Sequence, residues 1–521
     1  MTIPFSSFPA TWRLPLYWVE LNSQMAGTGT LTLPALLVGQ GSSDATATLN
    51  VPIPVGDFAT SETLFGAGSM LSDMVGVFLQ NNSAQELVCL MVPDPAGAKA
   101  TGTIHVTSPP SQAGTLSLYI AGQLVPVGVG ATDTELTVAS NIVTAINAAI
   151  GLPVTAALGG TGSQVVDLTC KWIGLTGNDI SISDSILGSL GGQALPVGLT
   201  LSYSGTGTFT GGVTPSNMGF LSGGTGSPTF TTAIANLGDN QYEYVALPYT
   251  DSGSLLAWET EYSFASTGRW GWMRQLYGQI YSARRDTYAN LLTFGASRNG
   301  PITTVMNVEL AMPSPIWEMA AAYCAEAALA LTNDPARPLQ TLELQGVMPA
   351  QKAYRFLLTE LNVLAKTGIA VQHVDPNGLC AILREVTTYQ LNAYGAPDIA
   401  YSDMTTPATL SKLLRNQRAA ITTKFPRYKL ADDGTLFAPG SAIVTPSVIK
   451  AEIVAEYAQD EFNGLVEDSK VFARNLIVER DSTNPDRVNV LYPPNLIGQL
   501  RIFAVLAQFR LLGQQQTTVP A

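Results

Sequence analysis

Residues 279–310, QIYSARRDTYANLLTFGASRNGPITTVMNVEL, decide the fold of the middle of this chain. Two runs within this stretch, 279–283 and 303–310, have the apolar and β-branched composition of strands. Between them, the spacing of apolar residues over 287–297 predicts a helix. Strands and helices that alternate at this short spacing are typical of layered α/β structures. We therefore predict an α/β core.

The same alternation extends to both sides of this stretch. We predict a helix at 229–237, a strand at 242–248, a helix at 254–264 and a long helix at 316–332. The long helix is expected to bury one face, made of Ile316, Met319, Ala320, Tyr323, Cys324, Ala327 and Leu331. Residues 223–395 are therefore predicted to form an α/β domain. Residues 23–95 are predicted to add a first part of the core, with strands at 35–38 and 86–92 and a helix at 63–81.

Residues 96–222 differ in composition from the rest of the chain. Gly, Ser, Thr and Val dominate, and short alternating runs recur, such as TLSLYI at 115–120. One helix, at 134–149, interrupts them. The segment is therefore predicted to be an inserted, mostly β domain.

Both ends of the chain are predicted to be arms. Residues 1–22 contain a strand-like run with Leu14, Leu16, Tyr17, Trp18 and Val19, and the prolines nearby keep such a segment extended. Residues 396–521 are predicted to be an α+β domain. Its helices start after the N-cap residues Thr406 and Thr445 and end at about residues 422 and 463, and its strands lie at 476–480 and 487–491.

The tail at 496–511 suits either a helix or a strand with two apolar faces. We favour a strand arm, because Pro493 and Pro494 precede it and its content is aromatic and β-branched. Its candidate contact residues are Phe503, Val505, Leu506 and Phe509. The predicted fold class is thus α/β and α+β, multidomain, with an inserted mostly-β domain and extended N- and C-terminal arms.

The 521-residue chain has a net charge of −13. Residues 1–250 hold 14 acidic residues against three basic ones, and the remainder is nearly balanced. An acidic chain is poorly suited to coating DNA, so we expect no direct nucleic-acid partner. No apolar run of about 20 residues exists, which predicts no membrane span, and the first residues predict no signal peptide. Because the four cysteines lie far apart, we expect reduced buried thiols.

No motif in the chain predicts catalysis or a cofactor. Two histidines, His105 and His373, are too few for most metal or acid–base sites. GGTG at 223–226 resembles part of a dinucleotide-binding loop, but a poor strand precedes it. The string GGTGS also recurs at 159–163, which indicates linker composition. We predict no enzyme activity, no cofactor and no metal site.

One basic cluster stands out, with Phe425 and Tyr428 interleaved. It consists of Lys412, Arg415, Arg418, Lys424, Arg427 and Lys429. Nucleic-acid binding, a solvated helix face and a protein contact are all compatible with it. Downstream, Glu452, Glu456 and Asp460 form an acidic stripe at i, i+4 and i+8. Two oppositely charged surfaces in one domain suit head-to-tail self-assembly.

Several long strings resemble the tail sheath proteins of Mu-like contractile phages. They are the opening residues 3–24, and the runs at 333–342 (NDPARPLQTL), 387–390 (TTYQ), 424–434 (KFPRYKLADDG) and 488–494 (VNVLYPP). The resemblance spans nearly the whole chain. Another contractile-tail component, such as a tube or baseplate protein, stays as an alternative, as does an enzyme with an α/β core.

The resemblance implies a structural subunit of the virion tail, made and assembled in the host bacterial cytoplasm. Such subunits stack as hexameric rings around a tail tube, exchange strands with their neighbours through both arms, and meet baseplate and tail terminator proteins. Contraction drives the tube through the host envelope. By the same resemblance, the C-terminal domain, with its charged residues as candidate tube or neighbour contacts, faces the tube. The insert then lies outside.

Two deletion experiments test these expectations. Removing residues 1–21 or 499–521 is expected to abolish polymers and to leave a folded monomer. Removing residues 97–222 is expected to leave assembly intact.

Overall fold

The computed structural model of the chain describes residues 33–160, 162–205, 214–438 and 440–509. The predicted N-terminal arm residues lie outside the described residues. Within the described ranges, no helix combines the length and apolar character needed to cross a membrane. All four cysteines are buried and free, as predicted.

The first part of the described chain supplies strands and helices to the main body. They are β1 (Ala35–Gln40), β2 (Pro52–Pro54), α1 (Phe58–Phe65), α2 (Met70–Asn81) and β3 (Leu87–Val92). The single helix predicted over 63–81 is wrong. Gly66 and Gly68 turn the chain with φ values of 84° and 67°. Ser69 then caps α2, because its hydroxyl accepts a hydrogen bond from the Ser72 amide at 3.2 Å.

The segment predicted to be an insert is mostly β. Its elements are β4 (Thr101–Ser108), β5 (Gly114–Ile120), β6 (Gln123–Val129), α3 (Glu135–Ala148), β7 (Val154–Leu158), β8 (Val165–Cys170), β9 (Ser181–Asp184), β10 (Thr200–Tyr203) and β11 (Met218–Phe220). They form two four-stranded sheets, ordered β10-β4-β8-β7 and β11-β9-β5-β6. Helix α3 packs against strands of both sheets. An antiparallel bridge between Thr101 and Ser222 joins the two ends of the insert.

The middle of the chain alternates helices and strands, as predicted. The elements are α4 (Thr231–Leu237), β12 (Tyr244–Ala246), α5 (Ser252–Glu261), β13 (Gln279–Arg285), α6 (Tyr288–Ala296), β14 (Thr303–Val308), α7 (Ile316–Asn333), β15 (Glu343–Leu344), α8 (Leu358–Lys366), β16 (Val371–Val374) and β17 (Cys380–Arg384). A six-stranded sheet has the order β14-β13-β12-β1-β3-β2. Its strands are parallel except for β2, which runs antiparallel to β3. Strands from both sides of the insert therefore share one sheet.

Helix α7 is buried on nearly all sides, not only on the predicted face. The consecutive residues Ala320, Ala321 and Ala322 are each fully buried. One side of the helix lies against β12, β13 and β14, and α2 and β15 cover it elsewhere. Its many alanines allow this close approach from several directions.

The last described region, predicted to be the C-terminal domain, combines helices and strands. Its elements are α9 (Thr405–Lys424), β18 (Lys429–Leu430), β19 (Ile443–Val444), α10 (Pro446–Phe462), α11 (Ser469–Asn475), β20 (Ile477–Arg480) and β21 (Val488–Leu491). Its own apolar core includes Leu413 and Ile453, and Tyr457 stacks on Phe472 with ring centroids 3.7 Å apart. The predicted class of α/β and α+β domains is thus confirmed.

The two predicted N-caps of this domain differ in outcome. Thr445 is the residue before α10, with Pro446 in its first turn, as predicted. The prediction for Thr406 is wrong. Helix α9 already begins at Thr405, and Met404 occupies the N-cap position. Pro407 falls inside the first turn, where its missing amide breaks no helical hydrogen bond.

Candidate functional site

Strands β20 and β21 form an isolated antiparallel hairpin. The register places Ile477 opposite Leu491 and Arg480 opposite Val488. In the described part of the chain, no third strand pairs with either edge. Two-stranded sheets are marginally stable by themselves, and free edges offer unpaired amides and carbonyls. The hairpin is therefore a ready acceptor for further strands.

Residues 502–509, here called the C-terminal arm, are exposed to solvent. They form neither the predicted strand nor the alternative helix within the single chain. Phe503, Val505, Leu506 and Phe509 are 83%, 70%, 84% and 85% exposed. A strand needs a partner edge for its backbone hydrogen bonds, and this segment pairs with none in the described chain. Such a run of exposed apolar side chains marks an interaction site.

The residues that precede the arm are fixed to the body. Arg501 makes a paired contact with the fully buried Glu385, at 2.9 Å from Nη1 to Oε2 and 2.5 Å from Nη2 to Oε1. Gln499 Nε2 donates to the Ala336 carbonyl at 2.6 Å. Bidentate pairs of this kind are strong and directional. The arm therefore leaves the molecule from a fixed point, just after Arg501.

Four of the predicted basic residues lie on α9, and two of these form ion pairs within the chain. Arg415 pairs with buried Glu243, and its guanidinium lies 5.3 Å from the centre of the Tyr277 ring. Lys424 pairs with Glu452. Lys412 and Arg418 on the helix, and Arg427 and Lys429 after it, are exposed. These four residues stay candidate contacts for a partner.

The acidic stripe faces α9 and is not a separate surface. Besides the Lys424–Glu452 pair, Asn416 Nδ2 donates to Asp460 Oδ1 at 2.7 Å. Burial raises the pKa of Asp460. Burial, with the charges of Asp460 and Glu452, also raises the pKa of Glu456. The expectation of two opposed charged faces is wrong here, because α9 and α10 pack antiparallel and bring the two stripes together.

An aromatic groove lies between the loop at 263–277 and the C-terminal domain. Its volume is about 650 Å³. Its aromatic lining consists of Phe264, Trp270, Trp272, Tyr277 and Tyr401. Residues of α9, α10 and β21, most of them aliphatic, complete the lining. Trp272 is 74% exposed. Sequence reasoning missed this groove, although the run GRWGWMR at 268–274 was a visible signal.

The loop that carries Trp272 is held rigidly. Arg269 is fully buried and donates to Glu261 at 2.8 Å, to the Asn240 carbonyl at 2.7 Å and to the Gly238 carbonyl at 3.0 Å. Its guanidinium also lies over the rings of Tyr242 and Tyr262. An exposed tryptophan on a fixed loop is typical of the residues that dominate protein interfaces.

Comparison with known proteins gives one consistent result. Two family models match, the phage tail sheath protein central domain over residues 223–388 and the phage tail sheath C-terminal domain over residues 396–510. The chain is 36% identical, over 514 residues, to the Mu-like prophage FluMu tail sheath protein of Haemophilus influenzae. That match covers 98% of this chain and 100% of the relative.

Two of the solved structures that match this chain are named as sheath tail proteins. The protein of Desulfitobacterium hafniense matches with a TM-score of 0.46 and 13% identity, covering 93% of this chain and 97% of that one. The protein of Listeria innocua matches with a TM-score of 0.44 and 13% identity, covering 89% and 92%. A chain of the contracted anti-feeding prophage baseplate matches with a TM-score of 0.45 and 11% identity, covering 96% and 100%.

Proposed function

The chain belongs to the phage tail sheath protein family, and from this membership we propose that it is the repeating subunit of a contractile sheath. The subunits stack as hexameric rings around a tail tube, with baseplate and tail terminator proteins at the ends. A signal from the baseplate shortens and widens the sheath and drives the tube through the host envelope. Sheath proteins of this family are structural components of the virion, and assembly takes place in the host cytoplasm.

One observation supports polymerisation above all others. The same chain carries a two-stranded hairpin with unpaired edges and an exposed apolar arm without a partner in the described residues. When the arm of one subunit pairs with the hairpin of a neighbour, the unpaired strand edge gains hydrogen-bond partners. The apolar side chains of the arm are covered at the same time. Strand addition supplies main-chain hydrogen bonds, and alternating side chains fix the register. The predicted N-terminal arm, with Leu14, Leu16, Tyr17, Trp18 and Val19, supplies the strand for the second edge.

Strand exchange also suits contraction. A paired strand keeps its hydrogen bonds while the linker that precedes it bends, so neighbouring subunits rotate without separating. The Arg501–Glu385 pair anchors the C-terminal arm to its own body, which confines the bending to residues between Arg501 and the paired strand. The C-terminal domain faces the tube, where the exposed Lys412, Arg418 and Lys429 contact it or a neighbour. The insert lies outside.

Truncation tests this proposal. We expect the full chain to form long hollow cylinders on negative-stain micrographs. Removal of residues 502–521 is expected to abolish the cylinders and to leave a monomer with unchanged thermal unfolding, because the arm packs against little of its own body. The cut falls after Arg501, so that the buried Glu385 keeps its partner.

Three other outcomes would contradict the proposal. Cylinders formed by the truncated chain would show that the arm is not required. Thin tubes from the full chain would indicate a tube protein, and discrete ring-shaped or irregular particles would indicate a baseplate component.

A further inference from the structure

We propose that four charged residues, here called the clamp, carry a pull on the C-terminal arm into the core and keep it out of the C-terminal domain. The clamp consists of Arg384, Glu385, Asp403 and Arg501. This inference rests on the proposed function for the source of the pull, which is a neighbouring subunit that holds the arm. The clamp itself lies within one chain, so it can be tested without assembly.

The chain enters the C-terminal domain beside the end of β17. The Met404 amide donates to the Glu385 carbonyl at 3.0 Å, and Val386 and Asp403 form an antiparallel bridge. The Asp403 carboxylate accepts hydrogen bonds from Arg384 Nε and Nη2, both at 3.1 Å. Helix α9 begins immediately after Met404. Backbone and side-chain contacts therefore both fix the point of entry.

The chain leaves the C-terminal domain at the same place. Arg501 pairs with Glu385 through both of its Nη atoms, and its Nη2 lies 3.9 Å from Asp403 Oδ1. The Arg501 side chain is only 12% exposed, and that of Glu385 is fully buried. Charge-assisted pairs are strong in such a bidentate, shielded geometry. The entry and the exit of the domain are thus held to each other and to the core.

The clamp is connected to the main sheet. After Glu385 the chain runs beside β14, where the Thr304 hydroxyl donates to the Val386 carbonyl at 2.7 Å. Two residues further on, the Thr388 amide donates to the Thr303 carbonyl at 2.9 Å. Strand β14 belongs to the six-stranded sheet. A pull that reaches Glu385 therefore passes into the main sheet of the subunit.

Residues 495–501, here called the strap, connect the C-terminal domain to the clamp. The Asn495 amide donates to the Tyr457 hydroxyl at 3.0 Å, and the Ile497 amide donates to the Leu465 carbonyl at 3.2 Å. A cavity of about 230 Å³ lies between the strap and the start of α9. Without the clamp, a pull on the arm would break these bonds in succession. With the clamp, the pull is borne by two charged hydrogen bonds that are loaded together.

This arrangement protects the part of the molecule that receives strands from neighbours. The hairpin of β20 and β21 is two-stranded, and such sheets are marginally stable by themselves. A force that passed through the C-terminal domain would threaten this hairpin. Because the clamp joins the entry of the domain to its exit, the force passes the domain by. Arg501 is thus a positioning residue for the arm.

Pulling single molecules of the full chain with optical tweezers tests the inference. One handle is attached at Phe509→Cys in the arm and the other at Leu256→Cys, which replaces a 61% exposed residue of α5 in the core. The native cysteines are all buried. Unfolding of the segment 405–500 should lengthen the molecule by roughly 330 Å, because its two ends start side by side.

The test variant combines Glu385→Gln with Arg501→Gln, so that no buried charge is left without a partner. We expect its C-terminal domain to unfold at a lower force than that of the wild-type chain. The matched control neutralises another ion pair of the same domain, Arg480 with Asp432, through Arg480→Gln and Asp432→Asn. This control should unfold at the wild-type force.

A second pulling geometry separates the bearing of load from general stability. A handle at Asp486→Cys, in the exposed turn of the hairpin, replaces the one in the arm, so that the force enters the C-terminal domain directly. The wild-type domain should unfold at a lower force in this hairpin geometry than in the arm geometry. The test variant and the wild-type chain should unfold at equal forces in the hairpin geometry.

Two results would overturn the inference. One is an equal unfolding force for the wild-type domain in the two geometries, which needs no variant. The other is a test variant that matches the wild-type chain when the arm is pulled, or that loses as much force in the hairpin geometry. Failure of the wild-type chain to form cylinders would instead contradict the proposed function, and the forces on single chains would still decide whether the clamp bears load.

Discussion

At the scale of single residues, the most unusual pair is Asp73 and Glu318, where α2 meets α7. The Trp317 indole donates to Asp73 Oδ2 at 2.6 Å, and Glu318 is only 4% exposed. Burial first, and then the charge of Asp73, raises the pKa of Glu318 well above its ordinary value of 4.5. Burial also raises the pKa of Asp73 to about 6. The pair therefore retains protons that the unfolded chain releases.

This retention makes stability depend on pH in a defined direction. In the unfolded chain Glu318 ionises above pH 4.5, while in the folded chain it stays protonated to a higher pH. Raising the pH above this value therefore lowers the free energy of unfolding, by up to about 1.4 kcal/mol per pH unit for each such group, until the folded pKa is passed. Glu318→Gln should lose less stability than the wild-type chain as the pH rises above about 5, measured by thermal unfolding of the monomer.

Asp486→Asn provides the comparison, because Asp486 is exposed at the turn of the hairpin. Its unfolding temperature should follow that of the wild-type chain across the same pH range. If Glu318→Gln and the wild-type chain show the same pH dependence, the buried carboxyl pair does not retain its proton.

At the scale of secondary structure, the proposed strand exchange joins two elements of the chain, the hairpin and the C-terminal arm. Val505 lies in the middle of the arm and is 70% exposed. Its side chain therefore contributes little to the stability of its own monomer. Its backbone amide matters only once the arm pairs with another strand.

Val505→Pro should consequently prevent assembly without affecting the monomer. Proline removes the amide that a paired strand donates and is excluded from central strands. We expect no cylinders on micrographs and an unchanged unfolding temperature. Val505→Thr keeps both the amide and the β-branched shape, so this variant should still form cylinders. Cylinders formed by the proline variant would show that the arm binds by side chains alone.

At the scale of the whole molecule, the insert and the main body share one hydrophobic core. Trp172 of the insert packs edge-on against Trp317 of α7, with centroids 5.3 Å apart. Asp179 of the insert contacts buried Arg285 of β13 at 2.6 Å, and Ser181 donates to the Pro313 carbonyl at 2.6 Å. A continuous cluster of buried apolar residues includes Leu36, Ile142 and Ala320.

We therefore revise the expectation that removal of residues 97–222 leaves assembly intact. Their deletion would expose Trp317 and leave the Arg285 guanidinium without its carboxylate, and removing one partner of a buried ion pair costs about 3–5 kcal/mol. We expect the deletion to abolish soluble protein. Asp179→Ala should lower the free energy of unfolding by about the same 3–5 kcal/mol in urea titrations. A soluble deletion variant that still forms cylinders would contradict this view of the insert.

Local patterns determined much of this protein. The alternation over 279–310 yields β13, α6 and β14, because strand and helix periodicity depend on neighbouring residues. The composition of residues 96–222 indicated a mostly β unit, and the apolar spacing over 134–149 indicated its helix, which the structure places at Glu135–Ala148. The sequence around Phe503 and Phe509 left a helix and a strand open, and its use as an arm stays a prediction. The long strings shared with Mu-like sheath proteins indicated the family.

Only the tertiary structure decided which side chains meet. The sequence suggested that the basic cluster and the acidic stripe form two separate surfaces. In the structure, the antiparallel packing of α9 and α10 brings them together and pairs Lys424 with Glu452. Periodicity could not show that α7 is covered from several sides, because burial depends on elements distant in sequence. The groove around Trp272 likewise joins the loop at 263–277 to two helices and a strand that lie more than a hundred residues further along the chain. Contacts of this kind are set by packing across the chain, and a local pattern does not contain them.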